Sequence, residues 1–366
     1  MNNDENVYSE ASMNFTNTRE ETDRKCPDCG GVMDFDPNTG GLACPYCGHI
    51  EEIKVEEDNL RADELDFELA EETGNCFWGI ETKTVICKSC GGETVYDSLQ
   101  IAGECPYCGS NQVMEENDKN TLAPGGVCVF MVNQEIAGNN FKSWIGKKLF
   151  CPSEAKKKAK PKEFKGVYLP YWTFDTDTTS DFTAKYGKEV GVGKAKRILW
   201  HNTGGKYSEF INDQLVMGSK NYDRSILKSI EPFDTENNKA YKPEYIAGFI
   251  TERYSTGLKD AWEIGKDDIK AKLVDHIKGK IEKDKHADYV KEVALYTMYS
   301  NVTYKYLLLP IWISSFKYNG KVYQFMVNGQ TGKVGGKTPI SPLRVAIAII
   351  LVLLLVFLYV YSKLER

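Results

Sequence analysis

"CPDCGGVMDFDPNTGGLACPYCG" (Cys26–Gly48) returns 61 residues later as "CKSCGGETVYDSLQIAGECPYCG" (Cys87–Gly109). Each copy reads C-x2-C-x14-C-x2-C, so Cys26, Cys29, Cys44 and Cys47 form one set and Cys87, Cys90, Cys105 and Cys108 a second. Two C-x2-C turns joined by a short hairpin supply the four thiolates of a tetrahedral zinc site. Glycine follows the second cysteine of every turn (Gly30, Gly48, Gly91, Gly109), where the chain curls back through positive φ. "DPNTG" at Asp36–Gly40 adds turn chemistry inside the first spacer, as a β-ribbon requires. The element Cys-Pro-Tyr-Cys is also a redox dithiol sequence. That chemistry needs a strand leading into a long helix whose N-terminus lowers the first thiol's pKa. Here polar "GHIEE" and "GSNQV" follow instead. The expectation is two zinc ribbons with structural Zn2+ in each.

His49 follows the second turn of the first set, but four cysteines already fill it, so His49 reads as solvated. Cys76, Cys128 and Cys151 stand outside the repeat and read as small buried apolar residues. Eight reduced thiolates imply a reducing compartment and place the N-terminal part in the cytoplasm.

Charge divides the chain. Residues 1–125 carry 27 Asp and Glu against 8 Lys and Arg, whereas residues 126–366 carry 38 basic against 25 acidic. The first cysteine set spans three Asp and no Lys or Arg. Each zinc with four thiolates adds further negative charge, which opposes nucleic-acid phosphate. A zinc-ribbon nucleic-acid-binding regulator is therefore the alternative reading, and a thiol oxidoreductase a third. The basic run Lys156–Lys165 is either a solvated helix end or a lipid-facing patch.

"VAIAIILVLLLVFLYVY" (Val345–Tyr361) is an uncharged apolar run between Arg344 and Lys363. At 1.5 Å per residue it spans about 26 Å as a helix, near the bilayer core of about 30 Å. With no apolar leader in the polar, acidic first 23 residues, the expectation is a single-pass tail anchor across residues 343–361.

The expected organisation is α+β: acidic tail 1–23, first ribbon 24–50, acidic linker 51–75, second ribbon 76–112, linker 113–125, mixed body 126–338, transmembrane helix 343–361 and tail 362–366. In the body, "VCVFMV" (Val127–Val132) reads as a strand and Asn133 as the cap of the next helix. "GVYLPYWTFDTD" is strand-like to Asp175, and residues 182–217 read as short strands around the turns "GVGK" and "NTGGK". Leu258, Trp262, Ile269, Leu273 and Ile277 share one face of a helix over Gly257–Ile281, which Gly265 weakens. Asn319–Gly320 marks a hairpin and Asn328–Gly332 a second turn. "LPYW" (Leu169–Trp172) and "LPIW" (Leu309–Trp312), 140 residues apart, raise a duplicated β unit.

"GKVGGKT" (Gly332–Thr338) lacks one spacer residue of a P-loop, and prolines follow where a helix should start. It reads as turn and linker. No G-x-S-x-G or H-E-x-x-H occurs, and the four histidines have no ligand or triad spacing. No catalytic residues, small-molecule substrate or enzyme activity are expected.

Both CPYCG elements, "GVYLPYWTFD", "YLLLPIWI", "VNGQTGKVGG" and the terminal apolar run together resemble a bacterial family of transcription-factor-IIB-type zinc-ribbon membrane proteins. The resemblance implies protein partners in membrane-stress assemblies, of the flotillin-like (SPFH) and phage-shock protein A kinds. It carries over only the eight cysteines as functional positions.

Overall fold

The N-terminal hairpin is built by "DPNTG": Asp36 Oδ1 accepts from the Asn38 amide at 3.0 Å, and Gly40 closes the turn at φ 70°. The computed structural model describes residues 26–31, 33–54, 60–73, 82–87, 93–97, 113–116, 124–159, 164–191, 193–252 and 254–364. In chain order its elements begin with β1 (Asp34–Asp36), β2 (Gly41–Ala43) and β3 (Ile50–Glu51), which form a separate three-stranded antiparallel sheet. Next come β4 (Leu65–Asp66), α1 (Phe67–Thr73), β5 (Thr82–Cys87), β6 (Glu93–Asp97), β7 (Val113–Glu116) and β8 (Gly126–Val127). Then follow α2 (Gln134–Gly146), α3 (Ser153–Lys158), β9 (Lys165–Val190), β10 (Arg197–Met217), α4 (Arg224–Ile230), β11 (Lys239–Ala240) and β12 (Ile250–Thr251). The chain continues through α5 (Leu258–Lys285), β13 (Tyr289–Tyr318), β14 (Lys321–Asn328), β15 (Val334–Gly336) and α6 (Pro342–Leu364). Among the described residues β4 to β15 form one twelve-stranded sheet. The architecture is mixed α+β, as expected.

Local chemistry sets the element ends. Asn133 is extended at φ −75°, and its side chain accepts from the Ile136 amide at 2.9 Å, capping α2 as expected. Asn319 (φ 48°) and Gly320 (φ 78°) make the tight turn between β13 and β14, since both positions need a left-handed backbone. Asn328 accepts from the Gln330 and Thr331 amides, and Gly332 at φ 72° completes the second expected turn.

Two expectations are corrected. Residues 182–217 are not several short strands. They are the distal part of β9, a short helical turn at Gly193–Ala195, and β10, paired from Arg197↔Val190 to Met217↔Tyr171. "NTGGK" lies inside β10, opposite Phe182 and Thr183. Gly204 is there because a Cβ would lie 2.8 Å from the Phe182 carbonyl oxygen, so the glycine serves close approach and not a turn. The strand expected at Val127–Val132 also stops after Val127. The Met131 and Val132 amides turn away and both donate to the Gly329 carbonyl at 2.9 and 2.8 Å.

The duplication raised by the two Leu-Pro-x-Trp tetrapeptides is visible in the hydrogen bonds. β9 and β13 are antiparallel neighbours with Leu169 opposite Leu309. β8 runs parallel to β13 (Val127↔Leu308), and β12 runs parallel to β9 (Thr251↔Tyr168). The Cys128 amide donates to Leu308 and the Glu252 amide to Tyr168. Trp312 Nε1–H donates to the Val132 carbonyl at 2.7 Å, and Trp172 Nε1–H to Thr256 at 2.9 Å. Gly329 and Gly218 donate to Pro310 and Pro170, each at 2.8 Å. The buried residues Ala137, Gly138, Phe141 and Ile145 of α2 correspond to Ala261, Trp262, Gly265 and Ile269 of α5, a shift of 124 residues (from 137 to 261). The body thus contains two strand–helix–hairpin units, β8-α2-β9-β10 and β12-α5-β13-β14, related by a local two-fold. Each lends its first short strand to the other's long strand.

The core lies where the two units meet. Phe130 packs on Tyr168, Phe249 and Trp312, and Phe141 stacks on Phe325 with centroids 3.7 Å apart. Beyond this core β9, β10 and β13 continue as an arm, on which α5 lays Ile277 and Ile281 against Phe182 and Ala184. The acidic 51–75 segment was expected as a linker, and its described part docks on the body. β4 pairs with β13, and Phe67 packs edge-on against Phe174 at 6.3 Å.

Candidate metal centre and membrane helix

Cys26, Cys29, Cys44 and Cys47 converge at the end of the small sheet, their sulfurs all within 4.8 Å of one another. Cys26 Sγ lies 3.4 Å from Cys47 Sγ, and Cys29 Sγ 3.5 Å from Cys44 Sγ. Each C-x2-C pair, Cys26 with Cys29 and Cys44 with Cys47, sits on one tight turn, and the close sulfur pairs join the two turns. The Gly30 amide donates to the Cys26 carbonyl and the Gly48 amide to the Cys44 carbonyl, with φ of 73° and 78° at the two glycines. Only a residue without a Cβ takes that backbone freely. Gly31 has a second reason: a Cβ there would lie 2.5 Å from the Tyr46 ring. Cys26 and Cys44 are buried, while Cys29 and Cys47 face outward.

The backbone around the sulfurs is polarised for thiolates. The amide of Cys47, with that of Tyr46, draws the Cys44 thiol down to about 7. The His49 amide acts on Cys47 in the same direction, but the neighbouring sulfurs and burial outweigh it and push that thiol up to about 12. Four thiols this close cannot all ionise without a cation among them. The cluster can hold a metal ion, and a cation among the sulfurs would remove that opposition. His49 is not free in solvent. Its Nδ1 lies 2.8 Å from Asp28 Oδ2, which ties the second cysteine turn to the first.

The small sheet is fastened to the body. The Phe35 amide donates to Ala247 at 3.1 Å, the Phe35 ring meets Tyr245 edge-on, and Asn133 donates to the Asn38 side chain at 2.9 Å. Of the second cysteine set, Cys87 is the last residue of β5, while Cys90, Cys105 and Cys108 lie outside the described residues. β5, which ends on Cys87, pairs antiparallel with β6, inside the set, and with β7, after it, and β6 joins the body's sheet through Thr251↔Val95. Cys76 also lies outside the described residues. Cys128 and Cys151 are buried, and burial raises both thiols, as fits apolar packing residues.

A second acidic group, Glu64, Asp175 and Asp213, brings its carboxylates within 4.8 Å of one another. Lys305 already supplies the cation. Its ammonium contacts Glu64 and lies 2.9 Å from Asp213 Oδ1, with 8% of the side chain exposed. The group therefore reads as an internal ion cluster fastening the acidic segment to β13. Its signal in sequence is absent, because its members lie far apart along the chain.

α6 is the apolar helix. Pro342–Ser362 has a mean hydropathy of 3.0 and, among the described residues, none of its apolar stretch is buried, which makes it a candidate membrane span. Its first turn is clamped to the body by Arg344, which donates to the carbonyls of Leu149 (3.0 Å) and Cys151 (2.7 Å) and to Ser153 Oγ (2.7 Å). "GKVGGKT" forms the end of a turn and β15. Lys333 contacts the Glu231 carbonyl and Lys337 the Asp223 carboxylate, so neither lysine faces an anion pocket.

The uncharacterized protein YdjG of Bacillus subtilis (strain 168) is similar to this chain, 28% identical over 327 residues that cover 88% of this chain and 91% of YdjG. No family model and no solved structure matches the chain.

Proposed function

We propose that this chain is a membrane-anchored scaffold that holds two structural zinc ions and docks protein partners at the cytoplasmic face of a membrane. The observation that carries this reading is a four-sulfur cluster fastened to the same body from which an exposed apolar helix departs. Zinc bound by four thiolates at about 2.3 Å sets its sulfurs about 3.8 Å apart. The 3.4 and 3.5 Å separations lie within a few tenths of that distance. Cys26, Cys29, Cys44 and Cys47 would hold one ion, and Cys87, Cys90, Cys105 and Cys108 the other. A site closed by four thiolates has no position for a reacting water, so the metal supports the fold and no enzyme activity is proposed.

Residues 343–361 form the anchor, and the reducing environment that eight thiolates need puts the rest in the cytoplasm. The acidic N-terminal part offers the docking surface, and its charge disfavours nucleic acid. By resemblance to the transcription-factor-IIB-type zinc-ribbon membrane family, the partners are SPFH-type and phage-shock protein A-like proteins. Metal analysis of the full chain in detergent tests the first element: two zinc per chain are expected, and far fewer than two would remove the scaffold reading. Pull-down of the full chain from solubilised membranes tests the second, with SPFH-type or phage-shock protein A-like proteins enriched. Salt-sensitive micromolar DNA or RNA binding would replace it with the regulator reading.

A further inference from the structure

The loop between α2 and α3 carries two adjacent exposed apolar side chains. Leu149 is 78% exposed and Phe150 43%, next to one another in "KKLFCPS". Singly exposed apolar residues are ordinary on protein surfaces, but this pair is held at one particular place. The Ser341 amide donates to the Phe150 carbonyl at 2.8 Å, and Arg344 grips the carbonyls of Leu149 and Cys151. These bonds fix the loop against the first turn of α6, where the apolar helix leaves the body. On either side of Ser341, Ile340 and Leu343 are also exposed, at 67% and 70%. Exposed apolar side chains of the loop and of the start of α6 are therefore held at the same end of the body.

Charge surrounds the patch on the body side. Residues 142–158 hold six lysines (Lys142, Lys147, Lys148, Lys156, Lys157, Lys158) against a single acid, Glu154. Lys147, Lys148, Lys157 and Lys158 are exposed, and Lys148 lies 4.5 Å above the Trp144 ring. Two exposed apolar side chains flanked by exposed lysines and Trp144 match the interfacial zone of an anionic leaflet, where the chains enter the acyl boundary and the ammonium groups meet headgroup phosphates.

We propose that the Lys147–Phe150 loop is a second membrane contact, with Leu149 and Phe150 inserted into the interface of an anionic bilayer beside the anchor. Two points of attachment fix the body's tilt over the membrane, whereas one helix alone leaves it free to swing. The proposal rests on the reading of α6 as the anchor, so its test includes a probe of α6 itself.

The full chain, reconstituted in bilayer nanodiscs, carries an environment-sensitive fluorescent amino acid at position 149, 353 or 296. Leu353 lies in α6, and Tyr296 is exposed on the distant arm. Lipids brominated along the acyl chain are the quencher. The expected result is loss of about half the emission at 149, strong quenching at 353 and none at 296. Quenching at 353 without quenching at 149 overturns the proposal and leaves the anchor standing. No quenching at 353 removes the anchor and the proposal together. Emission at 149 should be quenched more with phosphatidylglycerol present than in phosphatidylcholine alone, and equal quenching overturns the assignment to an anionic surface.

Discussion

Cys44 shows how much one side chain can decide in this protein. Its thiol is already drawn toward ionisation by the Cys47 amide, and its sulfur faces Cys29 at 3.5 Å. With zinc bound, Cys44→Ser leaves three thiolates around the ion, and metal affinity that is also folding energy for the small sheet is lost. The expected outcome is a fall of one zinc per chain, with loss of hydrogen-exchange protection over residues 33–51 and retention in β9 and β13. Asp223 gives a pH-dependent counterpart. It caps α4 by accepting from the Ser225 amide at 2.9 Å, while its other oxygen pairs with Lys337 after β15. The Lys337 ammonium first, and the Ser225 hydroxyl second, hold its carboxyl down to about 2. A carboxyl lowered in the folded state stabilises above its ordinary value near 4 and loses that contribution as pH falls through 2. Asp223→Asn should therefore weaken protection of α4 at pH 7 by at most about 1 kcal/mol, because the pair is partly screened. The difference from the unsubstituted chain should vanish between pH 4 and 2.

At the scale of elements, α5 is informative because its weak point in sequence is a packing device in structure. Gly265 costs helix propensity, yet it is buried where α5 crosses the sheet. A Cβ there would meet Phe174 and Val216 at 3.4 Å, ordinary van der Waals contact. Gly265→Ala should therefore stabilise the detergent-solubilised chain by about 0.5–1 kcal/mol in urea unfolding. Gly265→Leu should destabilise it by about 1–3 kcal/mol, since the extra volume has nowhere to go but into the sheet. Equal effects of the two substitutions would show that α5 does not sit this close. Of the expected apolar stripe, Trp262, Ile269, Leu273 and Ile277 are buried and Leu258 is half-buried, and Ala261 and Ile281 join it.

The whole molecule depends on two units holding each other. Trp172 and Trp312 are buried, and each donates its indole N–H to a carbonyl just ahead of the other unit's helix. Phenylalanine at either place keeps most of the apolar contact and leaves a buried carbonyl without its donor, which costs about 1–3 kcal/mol. Trp172→Phe and Trp312→Phe should destabilise the chain by similar amounts in the same unfolding measurement. A large effect at one and none at the other would show that the two clips are not equivalent.

Features that rest on local spacing and local backbone chemistry are legible from the residues alone. Cysteines three apart with a trailing glycine must form a tight turn, so the convergence of Cys26, Cys29, Cys44 and Cys47 was legible in their spacing. Asn133, Asn319–Gly320 and the uncharged run of α6 were legible for the same reason, since each signal lies within a few residues of its effect. The tertiary structure alone decided what depends on partners remote in the chain. Gly204–Gly205 has the composition of a turn, and only the strand beside it makes it a place of close approach. Lys305 pairs with carboxylates from two separate segments, and the Arg344 clamp joins α6 to a loop nearly two hundred residues earlier. The two-fold is the extreme case. Beyond Leu-Pro-x-Trp the two units share little sequence, because main-chain hydrogen bonds such as Gly218 to Pro170 and Gly329 to Pro310 constrain backbone position and leave most side chains free.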